Sequence, residues 1–93
     1  MVNMSDNFEL EKIKVAVIGL GYVGLPLAVE LGKQVPVKGF DVSEVRILEL
    51  IDCFDRTLEV DERDFAKASH LSFTANSDEI SDCNFYIITV PTP

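Results

Sequence analysis

In this 93-residue chain, the segment GLGYVG, residues 19–24, follows an apolar, β-branched run and restricts the folds that the chain can adopt. That run, residues 13–19, predicts a strand buried on both faces, as in a parallel sheet. Residues 22–31 have apolar side chains at helical intervals and Pro26 in the first turn. They predict a helix that ends at Gly32. A strand, a glycine-rich turn and a helix in this order are typical of the start of a β-α-β unit.

Each glycine of the segment has a separate physical task. Gly19 allows the tight turn out of the strand, Gly21 lets the backbone approach a pyrophosphate, and Gly24 lets the helix pack close to the strand. The N–H groups of Tyr22 and Val23 lie in the first turn of the helix, where they have no intrahelical partner and the helix dipole favours an anion. The segment therefore predicts a phosphate site, with a turn built for close packing alone as the alternative.

An acidic residue at the end of the second predicted strand, residues 35–40, completes the pattern. Asp41 lies twenty positions after Gly21, where a carboxylate accepts hydrogen bonds from a ribose 2′-hydroxyl and repels a 2′-phosphate. This favours NAD over NADP as the cofactor. Arg46, five residues later, either flanks the adenosine or, in another rotamer, accommodates a phosphate.

The rest of the chain continues the alternation of strands and helices. Ser43 predicts the N-cap of a second helix with Val45, Leu48 and Ile51 facing inward. The later elements are an ordered loop over 52–60, a short helix over 61–69, a strand over 71–74, a turn or short helix from Ser77, and a buried strand over 84–90.

This alternation predicts parallel strands joined by right-handed crossovers. The expected fold class is α/β, with a Rossmann-type parallel sheet of about four strands in the order 3-2-1-4 and flanking helices. We expect a flexible leader over residues 1–12 and a truncated dinucleotide-binding domain over residues 13–93.

Charge and cysteine content exclude several classes of function. The net charge of −8, from sixteen acidic and eight basic residues, repels phosphate backbones and anionic lipid, which argues against nucleic acid and membrane surfaces as partners. The acidic leader has no apolar core and does not resemble a signal peptide. Cys53 and Cys83 lack metal-ligand spacing and predict reduced thiols in a cytoplasmic protein without a metal site. His70 is expected to be a surface or helix-end residue rather than a base.

The segments VIGLGYVGLPLAVE, GFDVSEVRI, DRTLEV and FYIITVPTP, in this order, resemble the N-terminal part of the UDP-glucose/UDP-mannuronic acid dehydrogenase family. The resemblance is greatest to the branch that oxidises UDP-N-acetylhexosamines for bacterial surface (Vi-type) polysaccharides. It implies a cofactor site in which Gly19, Gly21, Tyr22, Val23 and Gly24 hold the pyrophosphate, Asp41 and Arg46 hold the adenosine ribose, and Thr92 contacts the cofactor nearer its nicotinamide.

Members of this family oxidise the C6 alcohol of a UDP-sugar to a carboxylate with two NAD, through a cysteine that would lie well beyond position 93. The resemblance thus implies that this chain lacks the central and sugar-nucleotide domains and the catalytic residue, and is inactive alone. The UDP-sugar would be a partner of the full-length parent only, and we expect a homo-oligomer. The alternatives are the cofactor domain of a hydroxyacid or 6-phosphogluconate type of dehydrogenase, or a free-standing NAD-sensing module.

Overall fold

A computed structural model describes residues 13–55 and 57–89, which form a parallel sheet with three helices. The elements in chain order are β1 (Val15–Ile18), α1 (Gly24–Gly32), β2 (Val37–Phe40), α2 (Glu44–Ile51), α3 (Glu62–Lys67), β3 (Leu71–Thr74), a 3₁₀ turn (Ser77–Ile80) and β4 (Phe85–Ile88). The expected leader, residues 1–12, lies outside the described residues.

The four strands have the order β3-β2-β1-β4 and are all parallel. Val15 of β1 is in register with Val37 of β2 and with Phe85 of β4, and Val37 is in register with Leu71 of β3. The expected α/β fold class and strand order are confirmed. The chain leaves β1 toward β2 and returns on the other side of β1 as β4, so the order reverses between β1 and β4. In open α/β sheets, ligands bind at the carboxyl ends of the strands beside such a reversal.

The core lies between the sheet and the three helices. Strand β1 is central, and its residues Val15, Ala16 and Val17 are all buried, as its sequence predicts. Alternate residues of β1 face opposite sides: Val15 and Val17 join the main core with side chains of α1, α2 and α3, and Ala16 joins a small second cluster with Ile80 and Cys83. The helices therefore cover one face of the sheet, while the described residues cover the other face only in part.

The expected inward face of α2 is wrong. Val45, Leu48 and Ile51 are 58–64% exposed, and the buried residues of α2 are Arg46, Ile47 and Leu50. Two apolar stripes run along this helix, and spacing alone does not distinguish them. The chain enters α2 through Ser43, whose side chain caps the N–H of Arg46, and from this entry the stripe with Ile47 and Leu50 meets the sheet.

The expectation of a buried fourth strand is also wrong for the described residues. Phe85, Tyr86 and Ile88 of β4 are all exposed. Strand β4 is at the edge of the sheet, and the 3₁₀ turn does not bury these side chains. An apolar run predicts a strand, but the strand is buried only if other elements lie over both of its faces. Val90, the end of the expected strand, lies outside the described residues.

Candidate cofactor-binding site

The glycine turn is held at the carboxyl end of β1 by both neighbouring strands. Gly19 has a φ of 98°, a conformation that residues with a side chain rarely adopt. Its N–H donates to the Phe40 carbonyl of β2 at 2.8 Å, and its carbonyl accepts from the Thr89 hydroxyl, just after β4, at 2.6 Å. The turn is thus fixed between the ends of three strands.

Gly24 and Gly21 lack side chains for different reasons. A Cβ at Gly24 would overlap the carbonyl oxygen of Gly19 and the hydroxyl of Thr89, whereas a Cβ at Gly21 would meet nothing within 4 Å. Gly24 therefore serves the close packing of α1 against the turn. Gly21 borders open space, which is what the approach of a phosphate requires.

The N-terminus of α1 is left available to a ligand. Its N-cap residue, Val23, makes no side-chain hydrogen bond to the helix, and Tyr22 and Val23 are exposed. The first N–H groups of a helix have no intrahelical acceptor and carry a partial positive charge. This end of α1 and the open space beside Gly21 fit an anionic group such as a pyrophosphate.

Asp41 links the glycine turn to the start of α2. One carboxylate oxygen accepts from the Leu20 N–H at 3.0 Å, and the other accepts from the Ser43 N–H at 2.9 Å. The second contact is an Asx turn, which is typical of aspartate two residues before the bonded N–H. An ionised carboxylate has about four acceptor positions, so Asp41 retains capacity for ribose hydroxyls.

The guanidinium of Arg46 is buried against the same turn. Its Nε donates to the Leu20 carbonyl at 2.8 Å, and its Nη1 donates to Asp55 Oδ1 at 2.9 Å. Both backbone groups of Leu20 are therefore bound by side chains, the N–H by Asp41 and the carbonyl by Arg46. Among the described residues, Nη2 of Arg46 has no hydrogen-bond partner although it is buried.

Asp55 organises the loop after α2, which is ordered where the structure describes it. Its Oδ1 accepts from the N–H and the hydroxyl of Thr57 at 2.9 and 2.6 Å, and its Oδ2 accepts from the N–H groups of Glu59 and Val60 at 2.8 and 3.0 Å. Burial opposes ionisation of this carboxyl, but the hydrogen bonds from Thr57, Arg46 and Glu59 outweigh it and lower the pKa of Asp55.

These residues surround a cavity of about 400 Å³ at the carboxyl ends of β1 and β2, within the usual size range of ligand sites. Its lining includes Gly19, Gly21, Asp41, Ser43 and Arg46. The sequence analysis named four of these five residues as candidate ligands. Tyr22 and Val23 lie beside it at the start of α1, and Thr92 lies outside the described residues.

Two residues that support the site were missed from the sequence, Asp55 and Thr89. A local signal existed for Asp55, because an aspartate two residues before a threonine is a common turn motif. Asp55 contacts Arg46, nine positions earlier in the chain. The loop that contains Asp55 has no periodic pattern from which this contact could be predicted. Thr89 contacts residues seventy positions away, and such a contact becomes visible only with the sheet order.

The cysteines and the histidine lie outside this cavity. Cys53 is exposed and Cys83 is buried, and burial, followed by the charge of Asp82, raises the pKa of the Cys83 thiol. His70 is exposed, and its backbone bonds Gly32 and Val37. The described residues contain no group of three or more potential metal ligands, and none of their helices is long and apolar enough to span a membrane.

The chain is similar to known proteins over most of its length. The NAD binding domain of the UDP-glucose/GDP-mannose dehydrogenase family matches residues 13–93. The chain is 56% identical over 86 residues to a UDP-N-acetyl-D-glucosamine 6-dehydrogenase of Salmonella typhi, covering 92% of this chain and 20% of that protein. Among solved structures, it is similar to a UDP-D-ManNAc dehydrogenase from Pyrococcus horikoshii, with a TM-score of 0.81 and 28% identity over 87% of this chain and 21% of the other.

A ternary complex of GDP-mannose dehydrogenase from Pseudomonas aeruginosa is similar as well, with a TM-score of 0.77 and 28% identity over 87% of this chain and 20% of that one. The chain thus spans about a fifth of the length of the relatives it matches. The family match favours the nucleotide-sugar dehydrogenases over the hydroxyacid and 6-phosphogluconate types. The glycine turn, the acidic residue after β2 and the sheet order therefore belong to the NAD binding domain of the UDP-glucose/GDP-mannose dehydrogenase family, of which this chain is a member.

Proposed function

We propose that this chain is the cofactor-binding part of an NAD-dependent dehydrogenase that oxidises C6 of a UDP-N-acetylhexosamine from the alcohol to the carboxylate. The observation that carries the proposal is the cavity between Gly21 and Asp41, open to a phosphate on one side and lined by an acceptor for ribose on the other. The choice of sugar follows the 56% identity to the Salmonella enzyme named for UDP-N-acetyl-D-glucosamine.

Different residues of the site bind different parts of NAD. The N–H groups of Tyr22 and Val23, beside the open backbone of Gly21, bind the pyrophosphate. Asp41 accepts from the ribose hydroxyls with the acceptor capacity that Leu20 and Ser43 leave free. Arg46 contributes Nη2, which has no hydrogen-bond partner among the described residues, and Thr92 contacts the cofactor nearer the nicotinamide.

Bound NAD supplies a hydride acceptor. Conversion of a primary alcohol to a carboxylate removes two hydride equivalents and adds one water, which accounts for two NAD per sugar. We place the sugar site and the catalytic cysteine in the part of the parent protein beyond this chain. We also propose that the parent is a cytoplasmic homo-oligomer. In this chain, exposed apolar side chains on β4 form an edge through which copies can associate.

Titration calorimetry of the chain with NADH and with NADPH tests the cofactor site. We expect NADH to bind more tightly, and Asp41→Ala to weaken NADH binding about tenfold, because the variant loses the ribose acceptor and a support of the glycine turn. Asp82→Ala is the matched control, since Asp82 lies near Lys14 and Lys38 at the amino ends of the strands. A folded sample that does not bind NADH, or equal weakening by both variants, would contradict the proposed site.

A further inference from the structure

The charge of Arg46 is compensated by a carboxylate that does not line the cavity, that of Asp55. Among the described residues that line the cavity, the charged ones are Asp41 and Arg46. Arg46 is the residue that could serve as a counter-ion for a 2′-phosphate, and the sequence leaves that role open. In the structure its Nη1 is 2.9 Å from Oδ1 of Asp55, and the two side chains are 10% and 0% exposed.

The side chain of Arg46 is held in position as well as neutralised. Its Nε is bonded to the Leu20 carbonyl and its Nη1 to Asp55, so rotation toward a phosphate would break two charge-assisted hydrogen bonds. Such a rotation would also leave Asp55 buried without its cation, which is strongly unfavourable. Asp55 itself is held by four hydrogen bonds from its own loop, so it cannot follow the arginine.

We propose that Asp55 is a specificity-determining positioning residue, which neutralises Arg46 and holds it against the glycine turn so that the adenosine cavity selects NAD over NADP. With Arg46 compensated, the charge of Asp41 dominates the cavity and repels a 2′-phosphate. Nη2 of Arg46, which has no hydrogen-bond partner among the described residues, is left to donate to the uncharged ribose or adenine. This inference rests on the proposed function, because it assumes that the cavity binds the adenosine of the cofactor.

The readout is the ratio of the dissociation constants for NADPH and NADH, measured by calorimetry on the whole chain. Asp55→Asn keeps the size of the side chain and removes its charge, so we expect this ratio to fall about tenfold, the scale of one nearby charge at an intermediate effective dielectric. Asp82→Asn removes the same charge at the opposite end of the sheet and is expected to leave the ratio within twofold of wild type. A purely structural role for Asp55 would weaken both cofactors equally and leave the ratio unchanged, which would overturn the proposal.

A second variant tests the proposal without altering Asp55, in case Asp55→Asn does not fold. Asp41→Asn removes the repulsion of the 2′-phosphate, so the ratio should fall but stay at or above one, because Arg46 remains neutralised. A ratio below one in Asp41→Asn would show that Arg46 acts as a free counter-ion and would refute the proposal. In the double variant Asp41→Asn/Asp55→Asn the ratio is expected to fall below one.

The outcomes separate this proposal from the proposed function. If the wild-type chain is folded by circular dichroism and binds neither cofactor, the proposed site is wrong and this inference with it. If the wild type prefers NADH and Asp55→Asn leaves the ratio unchanged, the site stands and the role of Asp55 is refuted.

Discussion

Substitution of Gly24 by alanine tests how the glycine turn is built. The new Cβ would lie 2.8 Å from the carbonyl carbon of Gly19 and would overlap that carbonyl's oxygen and the hydroxyl of Thr89. Neither neighbour can move freely. Gly19 is held by its bond to Phe40 and by its positive φ, and Thr89 is bonded to the Gly19 and Ile18 carbonyls.

The expected cost follows from these contacts. Overpacking a rigid site costs about 1–3 kcal/mol, and displacing Gly19 would weaken two hydrogen bonds of about 1 kcal/mol each. Alanine regains up to about 1 kcal/mol over glycine in a helix. The net loss in the free energy of unfolding is about 3 kcal/mol. A domain of this size has roughly 4–12 kcal/mol in total, so the variant should be folded only marginally or not at all.

Thermal unfolding followed by circular dichroism measures this loss, and we expect Tm to fall by about 12–24 °C. Gly21→Ala is the matched control, because a Cβ there meets nothing within 4 Å. Its Tm should stay within about 3 °C of wild type, while NADH binding weakens about tenfold or more because the methyl group stands where the phosphate approaches. Equal Tm values for Gly24→Ala and wild type would refute the packing role of Gly24.

Three further predictions concern the rest of the fold. The pKa of Asp55 is lowered, so its stabilising effect is present above its unfolded-state pKa and is lost as pH falls through the folded-state pKa. Below about pH 4, the loss of stability with falling pH, followed by circular dichroism, should therefore be less steep in Asp55→Asn than in wild type. The control Asp52→Asn, at an exposed position, should unfold in acid as the wild type does. In urea unfolding, Leu50→Ala should cost about 2–4 kcal/mol and Leu48→Ala less than about 0.5 kcal/mol; equal losses would contradict the assigned face of α2. Sedimentation should show concentration-dependent association through the exposed edge at β4, reduced by Ile88→Lys, and a monomer at high concentration would count against it.

Spacing along the chain predicted two parts of the candidate site, the glycine turn and the acidic residue after β2. The order of strand, glycines and helix predicts the turn at Gly19, because only glycine readily adopts its positive φ. The acidic residue after β2 is predicted by its distance from Gly21 along the chain. In the structure, Asp41 reaches the turn through the Leu20 N–H, a contact that the spacing implies but does not specify.

The environment of Arg46 could not be predicted in the same way. Its position suggested the adenosine pocket, but its partner is a carboxylate in a loop without periodicity. The prediction of the buried face of α2 was wrong for a related reason. Leu48 and Leu50 have similar hydrophobicity, and spacing cannot show which of them faces the sheet when two apolar stripes are present.

Local patterns in the sequence predicted the α/β class of fold and the parallel sheet, because these follow from backbone propensities and from the alternation of strands and helices that every β-α-β unit shares. The packing of the whole fold sets which face of α2 is buried, which strand is left exposed, and which carboxylate pairs with Arg46. Those properties depend on contacts between distant segments, since burial and charge compensation are set by what packs against a residue rather than by its neighbours in the chain.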